Sequence, residues 1–434
     1  MQLRVRFSSP LRGEAVAPGD KSISHRALLL GAIAQGTSEV HGWLPAADCQ
    51  ATLKAVRALG ATVEQHTPVN LVVHGCGLRG LRPPGTQAVL DCQGSGTTMR
   101  LLAGILAGYP STSVLDGHAG LRRRPMERVA VPLRLMGAHV ETTDGRPPIA
   151  VRGGMLRAID YTLPVASAQV KSAILLAALY ATGETIVHQP GPARDHTERM
   201  LRAQGVNIFQ CDNSVHLISS EQPLAPLQIV VPADFSSAAF ILVAGLLVPG
   251  SEILLRRVNV NPTRTGLLDV LQAMGARIQI GEVSEQGGEP VADLLVRPAE
   301  IEAGQVTGEL VVRMIDEFPV FAVAATQAHG TTVVRDAQEL RVKESDRIAA
   351  VATELRKMGA RIEEQPDGFV VEGPTTLQGA HVDSHGDHRL AMALVVAGLI
   401  ARGETVIHGS EVIGDSFPDF VPVMRQLGAD IEQA

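Results

Sequence analysis

The sequence predicts an α/β protein of two similar halves, each holding three copies of a unit in which two helices alternate with short strands. Three observations carry this reading. An Ala/Leu-rich segment closing on Gly-Thr, or a near equivalent, recurs at Ala27–Thr37, Ser172–Thr185, Ala238–Ser251, Phe321–Thr331 and Ala391–Thr405, with a looser copy at Leu101–Thr112. Each is followed by the end of a second helix, at Leu59-Gly60-Ala61, Met136-Gly137-Ala138, Gln204-Gly205-Val206, Met274-Gly275-Ala276, Met358-Gly359-Ala360 and Leu427-Gly428-Ala429. A break near Val231-Pro232-Ala233 parts the first three copies from the last three.

The unit around Phe321–Glu364 shows the logic of each element. Its first segment is apolar on every side, as a buried helix must be, and Thr331-Thr332-Val333-Val334 then reads as a strand. A charged loop, Lys343-Glu344-Ser345-Asp346-Arg347, leads into Ile348, Val351, Ala352, Leu355 and Met358 at helical spacing. Arg356 and Lys357 before Gly359 suit a helix C-terminus, and Ala360 to Ile362 opens the next strand. The residues before Gly19-Asp20 have no unit of their own, so they are expected to pair with the second half. Residues 20–232 are then one domain, and residues 1–19 with 233–434 a second, discontinuous one.

Composition excludes several functions. With 45% hydrophobic and 19% charged residues the chain is an ordinary globular protein. A net charge of −7 and few aromatics (one Trp, three Tyr, nine Phe) argue against nucleic acid as a partner. Cys49, Cys76, Cys92 and Cys211 form no CxxC pair and read as reduced packing residues. MQLRVRFSSP has no apolar signal core, and no apolar run is long enough for a membrane span, so a cytoplasmic protein is expected.

The polar residues gather where helices begin. Lys21-Ser22-Ile23-Ser24-His25-Arg26, Gly94–Arg100, Ser167–Ser172, Asp234–Ser237, Asp316-Glu317 and Asp387-His388-Arg389 precede or open the first helices. Arg122-Arg123-Arg124, Arg194-Asp195-His196, Arg264 and Lys343–Arg347 stand at or before second helices. A helix start already carries the positive end of its dipole. Cations added there make sense when a strongly anionic ligand docks on them. One such start alone reads as a capped helix with a solvated charge; starts of this kind in both halves, with Asp316, Glu317 and Glu344 nearby, predict a cleft that binds an anionic substrate beside acid–base groups.

Competing motifs fall short. Gly94-Ser95-Gly96 begins a dinucleotide fingerprint, but Met99 ends the match; no phosphate loop and no GxSxG elbow occur. His381, Asp383, His385, Asp387 and His388 are metal-ligand types, yet their spacing fits no zinc pattern, and no metal is expected.

Asp20–Arg26, Gly94–Arg100, Leu121–Met126, Ser167–Ser172, Leu340–Arg347 and Gly386–Arg389, in this order, resemble the 5-enolpyruvylshikimate-3-phosphate synthases over essentially the whole chain. The resemblance implies two domains, each of three βαβαββ units around a pseudo-threefold axis, with the active site between them. It implies transfer of the enolpyruvyl group of phosphoenolpyruvate to the 5-hydroxyl of shikimate 3-phosphate, with no cofactor and a monomeric enzyme. Carried over, Lys21, Ser22 and Arg26 hold the acceptor, Lys21 also reaching the donor, and Ser167, Gln169 and Lys343 add acceptor contacts. Gly96, Arg124, Arg347 and Arg389 bind phosphoenolpyruvate. Asp316 takes the hydroxyl proton, Glu344 exchanges a proton with the methylene carbon, and Lys21 completes the catalytic set.

The chain departs from that family's common pattern at Ala193, where many members have Ser, and at Asp415, where some have Lys. Leu101 stands where glyphosate-sensitive members often have Pro, while Gly96 leaves room for the inhibitor. The UDP-N-acetylglucosamine enolpyruvyl transferases share fold and donor, but Gly117-His118-Ala119-Gly120 lacks their reactive Cys. An RNA-terminal phosphate cyclase fits the charge poorly, and a non-catalytic binding protein needs no carboxylates beside its cations.

Overall fold

The computed structural model describes residues 1–83, 88–220 and 222–433. The chain falls into two compact units. One, here the N-unit, comprises Gly19–Val231 and Glu285–Glu289; the other, the C-unit, comprises Met1–Pro18, Pro232–Ser284 and Pro290–Ala434.

Four sheets among the described residues have the strand order first-second-fourth-third along the chain, the first two strands parallel and the others antiparallel, and two more repeat this arrangement with one place filled by a strand from elsewhere in the chain. The sheet built on Val89–Asp91, Ser113–Asp116, His139–Thr143 and Arg146–Arg152 shows the pattern plainly. A helix after each of the first two strands makes this a βαβαββ unit, and the helical crossover is what lets the first two strands run parallel.

Three sheets recruit a strand from elsewhere in the chain. Gln35–His41 takes its parallel neighbour from Gln228–Val230, at the end of the N-unit. In the C-unit, Gln2–Arg6 lies between Glu404–His408 and Ile431–Gln433, and Arg12–Ala15 runs parallel to Glu252–Asn259. The leading residues thus serve two sheets of the second half.

The two helices of each unit differ in burial. The first helices are Lys21–Ile33, Gly96–Leu106, Ala168–Ala178, Phe235–Leu247, Phe318–Ala325 and His388–Ile400. They are buried nearly all round, which is why their sequences show no polar face. The looser copy read at Leu101–Thr112 belongs to a helix that starts earlier, at Gly96, because Ser95 caps it by accepting from the Thr98 N–H. Each unit has its own apolar core around these helices.

The second helices are Ala47–Ala58, Glu127–Leu135, His196–Ala203, Gly266–Ala273, Arg347–Lys357 and Phe420–Gln426. Their corners repeat to the atom. Gly60, Gly137, Gly205, Gly275, Gly359 and Gly428 all have φ between +87° and +106°, a region closed to most side chains. Three residues before each glycine, a side chain reaches back over the corner to a carbonyl of the following strand. Arg57 donates to Val63 O, Arg134 to Val140 O, Arg202 to Ile208 O, Gln272 to Ile278 O, Arg356 to Ile362 O and Arg425 to Ile431 O. Arg122–Arg124, read as standing at or before a second helix, precede Glu127–Leu135 and lie in a short separate turn of helix, Ala119–Arg122, and its exit. Of the cysteines, Cys49 and Cys92 are buried and Cys76 is half-buried; Cys211 is exposed at the end of the strand Asn207–Cys211, so it does not pack.

Candidate functional site

In the C-unit, three helix starts bring their charges to one point. Arg347 opens its helix behind Asp346, whose side chain accepts from the Ala349 N–H. Asp387 caps the helix His388–Ile400, and Asp316 lies just before the helix Phe318–Ala325. The Arg347 guanidinium, 1% exposed, donates from Nε to Asp387 Oδ2 at 2.7 Å, from Nη2 to Glu344 Oε2 at 2.7 Å and from Nη1 to Asp316 Oδ1 at 3.3 Å. Ser345 Oγ also donates to Asp387 at 3.2 Å. On its far side Asp316 ion-pairs with Arg389 Nη2 at 3.6 Å.

Burial works to lower the Arg347 pKa, but the charges of Asp387, Glu344 and Asp316 outweigh it and hold the pKa raised. Burial likewise pushes the Asp387 carboxyl up, and Arg347 more than offsets this, so it stays ionised. Asp316 and Glu344 differ from Asp387 in access: Asp387 is wholly buried, while their side chains are 14% and 30% exposed. Asp387 is therefore the fixed anchor of Arg347, and the other two carboxylates can leave it. Lys343 is half-buried at the exit of the turn Gln338–Val342, one residue before Glu344.

In the N-unit, Lys21 is the first residue of its helix, and its ammonium pairs with Asp48, in the first turn of the helix Ala47–Ala58. Ser22 is half-buried, and its carbonyl accepts from Arg26 Nη1 at 2.9 Å. Arg26 turns inward, donating to Thr197 Oγ1 and Ser172 Oγ, both at 2.7 Å. Burial is the main cause that lowers its pKa to about 10.

Gln169 accepts from Arg100 and donates to Thr97 Oγ1 at 2.8 Å. Ser167 caps the helix Ala168–Ala178 through the Val170 N–H. A Cβ at position 96 would come within 3.0 Å of Arg100 Nη1 and of Arg124 Nη1, so glycine there keeps both guanidiniums where they are. A buried hydroxyl chain ties these starts together. His25 Nδ1 lies 2.7 Å from Thr52 Oγ1, Thr52 lies 2.6 Å from Thr98 Oγ1, and Thr98 lies 2.7 Å from the capping Ser95.

Asp48 and Asp387 escaped the sequence reading as partners of Lys21 and Arg347. The available signal was an acidic residue at a helix start opposite an unexplained cation. The histidines once weighed as metal ligands go elsewhere: His381 meets His408 at 3.2 Å, and His385 meets Glu354 at 2.7 Å. Ligand-type atoms do converge at Asp195, His196 and Glu289, where His196 and Glu289 are wholly buried and 2.7 Å apart and Asp195 is paired with Arg199. Ala193 is buried, with its carbonyl 3.2 Å from Lys171 Nζ. Asp415 is half-buried at the end of the turn Ser410–Asp415. No helix among the described residues is long and apolar enough to cross a membrane.

The family model for EPSP synthase (3-phosphoshikimate 1-carboxyvinyltransferase) matches residues 5–424. The 3-phosphoshikimate 1-carboxyvinyltransferase of Desulforamulus reducens is 49% identical over 429 residues, covering 98% of this chain and 99% of that protein. The protein of the same name from Thermodesulfovibrio yellowstonii is 47% identical over 426 residues, covering 98% and 99%. Among solved structures, the EPSP synthase of Acinetobacter baumannii superposes with a TM-score of 0.89 at 42% identity, covering 100% of this chain and 99% of that one. Six repeated units, charged helix starts and full-length similarity converge: the chain belongs to the EPSP synthase (3-phosphoshikimate 1-carboxyvinyltransferase) family.

Proposed function

We propose that this protein is a transferase of aromatic amino-acid biosynthesis that moves the enolpyruvyl group of phosphoenolpyruvate onto the 5-hydroxyl of shikimate 3-phosphate. The observation that carries this reading is Asp316 held between Arg347 and Arg389, with Glu344 on the same guanidinium. In the addition step the 5-hydroxyl oxygen bonds to C2 of the donor, Asp316 takes its proton, and Glu344, which takes up a proton from water once it is off Arg347, delivers it to the methylene carbon. In the elimination step Glu344 removes a proton from that carbon, the double bond re-forms, the C–O bond to phosphate breaks, and the proton held by Asp316 passes to the departing phosphate. No electrons are gained or lost overall, so no redox cofactor is called for.

A carboxylate bound to arginine is a poor base, since its proton affinity is suppressed. The donor is itself anionic. Its arrival at Arg347 and Arg389 displaces Asp316 and Glu344 from the guanidiniums, while Asp387 keeps Arg347 in place. Binding of the donor thereby frees Asp316 to act as base and lets Glu344 take up the proton that it delivers. Gly96 and Arg124 complete the donor contacts, and Lys21, Ser22, Arg26, Ser167, Gln169 and Lys343 hold the acceptor. Fixed cations stabilise the charge that develops on the tetrahedral intermediate and its leaving phosphate.

Phosphate release from the two substrates together tests the assignment. Turnover with shikimate 3-phosphate and none with UDP-N-acetylglucosamine is expected, and the reverse would sink it. Glyphosate is proposed to inhibit by occupying the space beside Gly96; half-inhibition only at millimolar concentrations would refute that. A cytoplasmic monomer is proposed, and light scattering of the purified protein tests the monomer.

A further inference from the structure

We propose that Lys171 is a positioning residue for the acceptor's phosphate, acting through the segment 189–195, and the proposal rests on the reading above. Lys171 is 1% exposed at the end of the first turn of the helix Ala168–Ala178, where a buried ammonium is stable only if fully partnered. Its Nζ has three donors. Three oxygens surround it: Gln189 Oε1 at 2.9 Å, the Ala193 carbonyl at 3.2 Å and Glu198 Oε1 at 2.6 Å. Glu198 is buried on the helix His196–Ala203 and supplies the countercharge.

An ion pair between two helices is ordinary packing. The unusual contacts are the other two, which fall on residues 189 and 193, within the stretch 189–195 that is neither helix nor strand. Lys171 therefore holds that stretch at two points against its own helix. One turn earlier on this helix stand Ser167 and Gln169; one residue later stands Ser172, which with Thr197 binds the Arg26 guanidinium. Arg194, which follows the anchored Ala193, lies near enough to Arg26 for its charge to be felt there. The groups facing Arg26 also include Asp20, Glu198 and Glu289. Lys171 thus fixes the segment 189–195 against the helix that carries Gln169 and Ser172 without touching the substrate.

The chemistry offers a control: shikimate has the same reacting hydroxyl and lacks the phosphate. Steady-state constants are measured for the wild type, Lys171→Met, Lys171→Arg and the double variant Lys171→Met/Glu198→Leu, with each acceptor. The single Met variant is expected to raise KM for shikimate 3-phosphate roughly 10- to 100-fold. Its kcat, its KM for phosphoenolpyruvate and its kcat/KM for shikimate stay within about threefold of wild type, the range of ordinary variation for a distant site. Lys171→Arg restores most of the loss. The double variant removes the buried charge pair as a unit, so it folds even where the single variant does not, and it keeps the raised KM. Equal losses with both acceptors, a fall in kcat alone, or wild-type KM in the double variant overturns the proposal. A wild-type protein that releases no phosphate from shikimate 3-phosphate and phosphoenolpyruvate overturns the functional reading instead.

Discussion

Asp316 shares two guanidiniums and Glu344 shares one, yet both remain partly open to solvent. This makes them separable by mutation. Asp316→Ala should lower kcat by 10²–10⁴-fold, the usual contribution of a positioned acid or base, with calorimetric binding of both substrates retained. Loss of binding to both would assign Asp316 to scaffolding. Asp387→Ala should behave oppositely, because it strips a wholly buried anchor from Arg347; its main effect is expected on KM for phosphoenolpyruvate and on stability.

His25 makes a pH prediction. Burial depresses its pKa from 6.5 to about 3. Between those values the unfolded chain holds a proton that the folded protein does not, so acidification favours unfolding across the window. The contribution is fully present above pH 6.5 and is lost progressively toward pH 3, on the order of a few kcal/mol. His25→Gln should flatten that part of the melting-temperature profile between pH 6.5 and 4; an unchanged slope would place the acid sensitivity elsewhere.

At the scale of the element, the recurring corner was half legible. Gly at the end of each second helix is visible in the sequence because the positive φ excludes other residues. The side chain three positions earlier, arginine in five corners and Gln272 in the sixth, is nearly as regular, but its use appears only once the following strand has turned back beneath it. A long cation near a helix end reads in sequence as a solvated charge. Arg356→Ala should remove one hydrogen bond worth about 1 kcal/mol, roughly fivefold in local opening. Faster amide exchange confined to the strand Arg361–Gln365 is the expected readout. The charged helix starts were legible for a related reason: apolar helices buried on every side leave their ends as the only place for polar residues. What stayed hidden was which carboxylate each cation meets. Lys21 with Asp48, and Arg347 with Asp387, are matches made by tertiary packing across 27 and 40 residues of chain, beyond any local pattern.

At the scale of the molecule, periodicity and matched landmarks revealed six units because each repeat must bury an apolar helix face against its neighbours. The sheet order was not readable, since strands of two or three residues carry almost no pattern. Gln2–Arg6 is central in its sheet, with Glu404–His408 on one side and Ile431–Gln433 on the other. Removing residues 2–6 should therefore expose amide protons in both of those strands while leaving Gln35–His41 protected. Uniform loss of protection throughout the chain would show that the two compact units unfold as one.

The position of that strand also sets an order of events during synthesis. Residues 19–231 carry every strand of three sheets and can close their own core as soon as they leave the ribosome. The strand Gln2–Arg6 emerges before any of them, but its partners are made some four hundred residues later. For most of translation it is an unpaired, partly apolar edge that must wait. Residues 2–6 are made long before their partner strands and are among the last to find their place.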